Sequence, residues 1–182
     1  SNENPAYDVE SNVIGTLNIL KLAVEKGVRK ILFASSGGTV YGIPRTLPIP
    51  ETHGTNPVCS YGITKLAIEK YLALFHHLYG LDYTVLRLAN PYGERQRIDG
   101  VQGAVSVFLG KTLLRQPIQI WGDGTTARDY FHISDLVSAF MKVIESEAPS
   151  KIYNIAGGRA RSLNDIVATI REVTGLLPEV RY

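Results

Sequence analysis

The stretch Ser60-Tyr61-Gly62-Ile63-Thr64-Lys65-Leu66-Ala67-Ile68-Glu69-Lys70 is the one around which the rest of the chain can be placed. After Gly62 its residues favour helix, with an apolar repeat at Leu66, Ile68 and Leu72, so Tyr61 and Lys65 share one helical face. A free phenol has a pKa of about 10, too high for a base at neutral pH, and a fixed ammonium one turn away favours the phenolate and lowers that value. Tyr61 is therefore a candidate base for a hydroxyl whose carbon gives up a hydride, with Lys65 as its activator. Alone, the pattern has low specificity. An amphipathic helix with an exposed lysine and a half-buried tyrosine produces it too, and the chain holds ten tyrosines.

Upstream, Lys30-Ile31-Leu32-Phe33-Ala34-Ser35-Ser36-Gly37-Gly38-Thr39-Val40-Tyr41-Gly42 reads as a buried strand, Arg29 to Ala34, running into a small-residue loop that carries hydroxyls. Such a loop lets a ligand come close. Together the two segments resemble the extended short-chain dehydrogenase/reductase family, the NAD-dependent sugar-nucleotide epimerases and dehydratases.

The resemblance implies an α/β fold: the C-terminal half of a Rossmann-type parallel sheet with a small α/β substrate-binding lobe. It implies NAD as cofactor, a nucleoside-diphosphate sugar as substrate, and a homodimer through the Tyr7–Lys26 and Tyr61–Tyr79 helices. Tyr61 matches the catalytic base, and Lys65 the lysine that holds the nicotinamide ribose and lowers the tyrosine pKa. Ser35 and Pro91 join them around the cofactor. Asn90, in the Asn-Pro pair after the next strand, and Arg128 match residues that touch the sugar nucleotide and its diphosphate. Val107 to Trp121 matches the region closing over the base, so Trp121 is a further substrate candidate.

The chain departs from the family pattern in three places. Gly37 stands where epimerases usually carry a catalytic Ser or Thr, so Ser36 or Thr39 is the candidate hydroxyl. Dehydratases carry an Asp-Glu pair where this chain has Gly38-Thr39, which places dehydration behind epimerisation. The glycine-rich turn for NAD is expected before Ser1, so the chain reads as an internal piece of a longer protein, with an apolar, unpaired edge at Lys30 to Ala34.

Composition sets the outer bounds. The chain has 182 residues, 45% of them hydrophobic, with 19 Lys and Arg against 17 Asp and Glu. That is a globular composition with no electrostatic case for nucleic acid or a membrane surface. One cysteine, Cys59, excludes an internal disulfide, suits a cytoplasmic setting and reads as a small half-buried residue. No apolar run reaches membrane-spanning length, and no signal peptide is expected.

In chain order, a helix is expected over Tyr7–Lys26, stopping at Gly27, and a loop over Ile43–Pro57. The Tyr61 helix should end at Gly80, with a strand over Tyr83–Leu88 and a loop over Ala89–Gly93. A helix over Val101–Arg115 and a short strand over Pro117–Trp121 follow. Ser134 reads as the N-cap of a helix reaching about Glu147, Lys151–Ala156 as the third sheet strand, and Ser162 with Asp165 as a near capping box before a helix that stops at Gly175. Leu177 to Tyr182 reads as a strand just begun. The alternation argues for a parallel sheet. Residues 1–99 and 133–158 would form the Rossmann-type body, and 100–132 with 159–182 the substrate lobe.

Two matches are set aside. Gly122-Asp123-Gly124-Thr125-Thr126-Ala127 has the spacing of a dinucleotide fingerprint, but the strand-like Arg128-Asp129-Tyr130-Phe131-His132 follows it instead of a helix. Gly110-Lys111-Thr112 lacks the earlier glycine of a phosphate loop, where Val105 stands. His53, His76, His77 and His132 have no metal-ligand spacing, so no metal is expected. The expected activity is epimerisation of the UDP-glucose 4-epimerase kind. A truncated, non-catalytic sugar-nucleotide-binding or interaction module, or a related reductase or dehydratase, is the alternative.

Overall fold

The structure is a computed structural model that describes residues 2–100, 102–145 and 151–182. In chain order its elements are α1 (Pro5–Asp8), a π-helical segment (Val9–Ile14), α2 (Gly15–Glu25), β1 (Lys30–Ser36), α3 (Ser60–Tyr79), β2 (Asp82–Leu88) and β3 (Asn90–Tyr92). There follow α4 (Ala104–Leu113), β4 (Ile118–Gln119), β5 (Ala127–His132), α5 (Ile133–Glu145), β6 (Ile152–Ile155), β7 (Ala160–Ser162), α6 (Leu163–Thr174) and β8 (Val180–Arg181). They fall into two compact units, Ser1–Leu88 with Ala139–Ile155, and Ala89–Ser138 with Ala156–Tyr182.

In the first unit β1, β2 and β6 form an all-parallel sheet in that order, with Ile31 opposite Tyr83 and Val85 opposite Ile152. Parallel neighbours need a crossover, and α3 is the one between β1 and β2. Tyr83 through Arg87 are all buried, as in a strand covered on both faces. Val13 of the π segment, Leu20 and Ala23 of α2, and Ile68, Leu72 and Phe75 of α3 close a core with Leu81, Tyr83 and Val85. At the strand starts Asp82 pairs with Lys151 and, at 3.9 Å, with Lys30, while Lys30 also donates to the Val143 carbonyl.

The α/β class and the parallel sheet are those the sequence implied; the element edges differ. β1 runs on to Ser36, because Ser35 and Ser36 stay in register with Arg87 and Leu88. The first helix begins earlier, at Pro5 behind Asn4, whose side chain accepts the Tyr7 N–H, and it widens into the π segment. There Ser11, Asn12 and Thr16 donate to the carbonyls of Tyr7, Asp8 and Asn12, so side chains serve acceptors along the altered ladder. α3 keeps its expected ends. Cys59 is its extended N-cap, with Sγ accepting the Gly62 N–H at 3.4 Å, and Gly80 closes it in the left-handed conformation at φ 70°.

In the second unit β3 runs parallel to β5, Asn90 opposite Tyr130, and β7 runs antiparallel to β5, Arg128 opposite Arg161. β4 pairs with β8. Phe108 of α4, Ile118, Ile120, and Ile166 and Ile170 of α6 form its core. Ser162 and Asp165 complete a reciprocal capping box. The expected loop at 89–93 contains β3, and β7 is a strand that the sequence did not signal. α4 starts only at Ala104, behind left-handed Gly103; the expected start, Val101, lies outside the described residues. α5 starts at Ile133, so Ser134 sits inside its first turn with its hydroxyl on His132 Nδ1 at 2.8 Å instead of capping it. The expected end of α5, Glu147, lies outside the described residues. Residues 89–99, 133–138 and 156–158, placed with the Rossmann-type body in the sequence, fall in the second unit, where β3 finds its partner in β5.

Candidate active site

Tyr61 stands in the first turn of α3, 39% exposed, and no hydrogen bond among the described residues engages its hydroxyl. One turn on, Lys65 Nζ donates to the Ala34 carbonyl at 2.9 Å and lies 4.8 Å from the Phe33 ring centre and 5.5 Å from that of Tyr61. The pair therefore sits against the carboxyl end of β1. Burial pushes the Tyr61 phenol above its ordinary value, with the neighbouring Cys59 adding to the rise, and burial pushes the Lys65 ammonium down. The lowered phenol expected from sequence is corrected here. The ammonium is engaged by a backbone carbonyl, and desolvation of the phenol prevails.

Two glycines bring the loop after β1 onto the start of α3. A Cβ on Gly62 would lie 2.8 Å from the Thr39 carbonyl oxygen and 2.9 Å from Pro57 Cβ, so only glycine lets the helix come this close. Gly42, at φ 71°, has the Asn56 carbonyl oxygen 1.9 Å from where its Cβ would stand. The turn itself is tight: Gly37 N–H donates to the Leu88 carbonyl at 2.8 Å, and the amides of Thr39 and Val40 both reach the Ser36 carbonyl. Ser36 is half-buried and its hydroxyl has no partner among the described residues. The Thr39 hydroxyl is fully buried without a partner among them. Ser35 turns its side chain into the core, where its hydroxyl donates to Glu69.

The remaining candidates lie in the second unit. Asn90 donates to the Asp129 carbonyl at 2.9 Å, tying β3 to β5, and Pro91 stands opposite Phe131. Arg128 is exposed and reaches the carbonyl of Ala127; Trp121 is 91% exposed on the turn after β4. Asp129 accepts the amides of both Gly157 and Gly158, which fixes the bend after β6. Among the described residues no group of three His, Cys, Asp or Glu could hold a metal ion, and no helix is long and apolar enough to cross a membrane.

Sequence reasoning missed Glu69 and Arg87. Arg87 donates to Glu69 through Nε at 3.1 Å and Nη2 at 2.6 Å, and both side chains are almost wholly buried. Glu69 falls four residues after Lys65, so it continues the Tyr61–Lys65 stripe. Arg87 is the one charged residue in the buried run Tyr83–Arg87 of β2. Both signals were legible, and pairing them requires the strand beside the helix.

The fold and the first unit define a class: an α/β protein whose parallel sheet presents a tyrosine and a lysine, one helical turn apart, at a strand's carboxyl end. The chain belongs to the NAD dependent epimerase/dehydratase family, whose model matches residues 1–156. It is 41% identical over 180 residues to a Methanocaldococcus jannaschii protein assigned as a UDP-glucose 4-epimerase, covering 99% of this chain and 58% of that protein. It is 42% identical over 170 residues to the dTDP-4-dehydro-6-deoxyglucose reductase of Escherichia coli, covering 93% of this chain and 54% of the reductase. The crystal structure of Thermotoga maritima UDP-glucose 4-epimerase with UDP-glucose superposes with a TM-score of 0.94 at 38% identity, over 100% of this chain and 59% of that one. The chain thus spans a little over half the length of these relatives.

Proposed function

We propose that the chain is the catalytic and sugar-nucleotide-binding part of an NAD-dependent epimerase of the UDP-glucose 4-epimerase kind. The observation that carries this reading is the Tyr61–Lys65 pair at the carboxyl end of β1, beside a tight turn built from Ser36, Gly37 and Gly38. Ligands of parallel α/β sheets bind at that end of the strands.

The residues present fit the nicotinamide end of NAD. Lys65 offers an ammonium suited to a ribose diol, the Gly37–Gly38 turn carries no side chain to obstruct a ring, and the Tyr61 hydroxyl is free to face a reacting carbon. Bound there, NAD would take up and return the hydride. Tyr61 accepts the proton of the sugar 4-hydroxyl and gives it back after the keto sugar has presented its other face. Ser36 is the better candidate for the second hydroxyl, because Thr39 is sealed beneath Gly62. Ser35 lends only its backbone, its hydroxyl being spent on Glu69. Pro91 is assigned to the nicotinamide, Asn90 and Arg128 to the sugar and diphosphate, and Trp121 to the nucleotide base. In these terms the first unit is the Rossmann-type body and the second the substrate lobe. A cytoplasmic setting suits the free thiol of Cys59.

The partner proposed is a second copy. Ile19 and Leu22 of α2 and Leu74 and Leu78 of α3 expose 43–62% of their surface, an apolar display that a homodimer through these helices would cover. The identity to the E. coli reductase favours one second reading, reduction of a 4-keto sugar by the same tyrosine and lysine. An idle binding module is the reading from outside the enzyme class. Tyr61→Phe in the full-length protein distinguishes them: with UDP-glucose as substrate it should lower kcat by roughly 10²–10⁴-fold, the range of a general base, while leaving UDP-glucose binding in place. Unchanged turnover would remove Tyr61 from the chemistry.

A further inference from the structure

Three contacts fasten α3 to the β1 region, and they recur at one-turn intervals. Gly62 rests on Thr39, Lys65 donates to Ala34, and Glu69 meets Ser35 and Arg87. The first two are a van der Waals contact and a single hydrogen bond. The third is a buried, two-pronged ion pair whose carboxylate also accepts the Ser35 hydroxyl.

The same guanidinium extends the network. Its Nη1 lies 3.5 Å from the Glu51 carbonyl and its Cζ lies 4.7 Å from the Tyr41 ring centre. The Tyr41 hydroxyl donates to Asn154 at 2.7 Å, and Asn154 holds the Ile49 carbonyl and the Glu51 carboxylate. One cluster thus ties β1, β2, β6, α3 and the loop over 43–57 together.

Burying such a pair is costly in desolvation, and apolar residues of equal volume often stabilise a fold as well or better. What a bidentate pair adds is geometry: a planar fork meets a carboxylate in one orientation only. We propose that the Glu69–Arg87 pair is a positioning device for the proposed reaction, fixing the rotation and axial position of α3 so that Tyr61 and Lys65 stand at the required depth over the end of β1. Neither residue touches the reacting atoms. The inference rests on the epimerase or reductase reading of Tyr61.

The test uses the full-length protein in three forms. Arg87→Lys keeps both charges but loses the fork. Glu69→Gln keeps the shape but loses the charge. The double variant Glu69→Leu with Arg87→Met removes the pair while filling its volume, so it should fold even where Glu69→Gln does not. In each folded variant kcat is expected to fall at least tenfold with KM for UDP-glucose within about threefold, the pattern of a contact that matters to the transition state and not to ground-state binding. A folded double variant or Arg87→Lys with wild-type kcat overturns the proposal.

An inactive wild type would instead defeat the functional reading. For that case 3-fluorotyrosine at Tyr61, titrated by fluorine NMR, gives a readout that needs no turnover. Release of the pair should move the phenol midpoint, since its environment sets that value. An unmoved midpoint in Arg87→Lys and the double variant would sink the positioning role.

Discussion

Tyr61 begins at a disadvantage, because burial holds its phenol above the ordinary value. In the proposed reaction the active form is the phenolate, so kcat/KM of the full-length protein should climb as pH rises toward that raised value and fall away on the acid side. Lys65→Met removes the only cation stacked near the ring among the described residues, which should move the limb to still higher pH and lower the rate at pH 7 by roughly tenfold or more. A pH–rate profile decides this, and a limb that stays in place would uncouple the two residues. Cys59 allows a separate test. Sulfur is a weak acceptor and the Gly62 amide sits 3.4 Å away, whereas serine is among the preferred N-caps. Cys59→Ser should stabilise the protein by about 0.5 kcal/mol in urea denaturation, and a loss of stability would show that the thiol's packing outweighs its capping.

The elements carry different risks. In α3 an alanine at position 62 gains about 1 kcal/mol of intrinsic helix propensity but drives a methyl into the Thr39 carbonyl and Pro57. Overpacking of this kind costs about 1–3 kcal/mol, so Gly62→Ala should lower the urea midpoint and reduce turnover together. The sheet is acid-sensitive at the end where its strands start. Burial alone would raise the Asp82 carboxyl, but hydrogen bonding and attraction from Lys151, with Lys30 further off, hold it below its ordinary value. A carboxyl depressed in the folded state stabilises above its unfolded pKa, near 3.8, and loses that contribution as pH falls through the folded one. Asp82→Asn should therefore flatten the stability profile below pH 4, and an unaltered slope would assign the acid limb to other groups.

Which elements were legible follows from the same physics. The end of α3 could be read because Gly80 marks it chemically, whereas the cap at its start, Cys59, read only as a small half-buried residue. The π segment could not, since its helix-forming residues do not announce an extra residue per turn. β3 and β7 are three residues each and exist only because β5 lies between them, so no local pattern could reveal them. The Glu69–Arg87 pair joins a helix to a strand 18 residues on, so no local pattern could reveal it either.

At the scale of the whole molecule, the parallel sheet and the position of the Tyr–Lys pair were legible because both are written in short, ordered segments; the lobe boundaries and the buried polar cluster depend on contacts between segments far apart in sequence. The exposed apolar faces of α2 and α3 set an assembly prediction. Leu22→Glu with Leu78→Glu should turn a homodimer of the full-length protein into a monomer in analytical ultracentrifugation, and a persisting dimer would move the interface elsewhere. The π segment has a consequence in the language of genes. A residue advances an α-helix by about 100°, so a π turn is what one inserted codon leaves when a helix absorbs it without changing its later face. Asp8, which accepts the Ser60 hydroxyl at 2.8 Å, and Leu20, sealed in the core, lie on either side of that segment. Removing one codon from 9–14 would leave every residue of α2 in place and swing Asp8 away from the first turn of the tyrosine helix: the smallest possible deletion, felt at the site from 52 residues upstream.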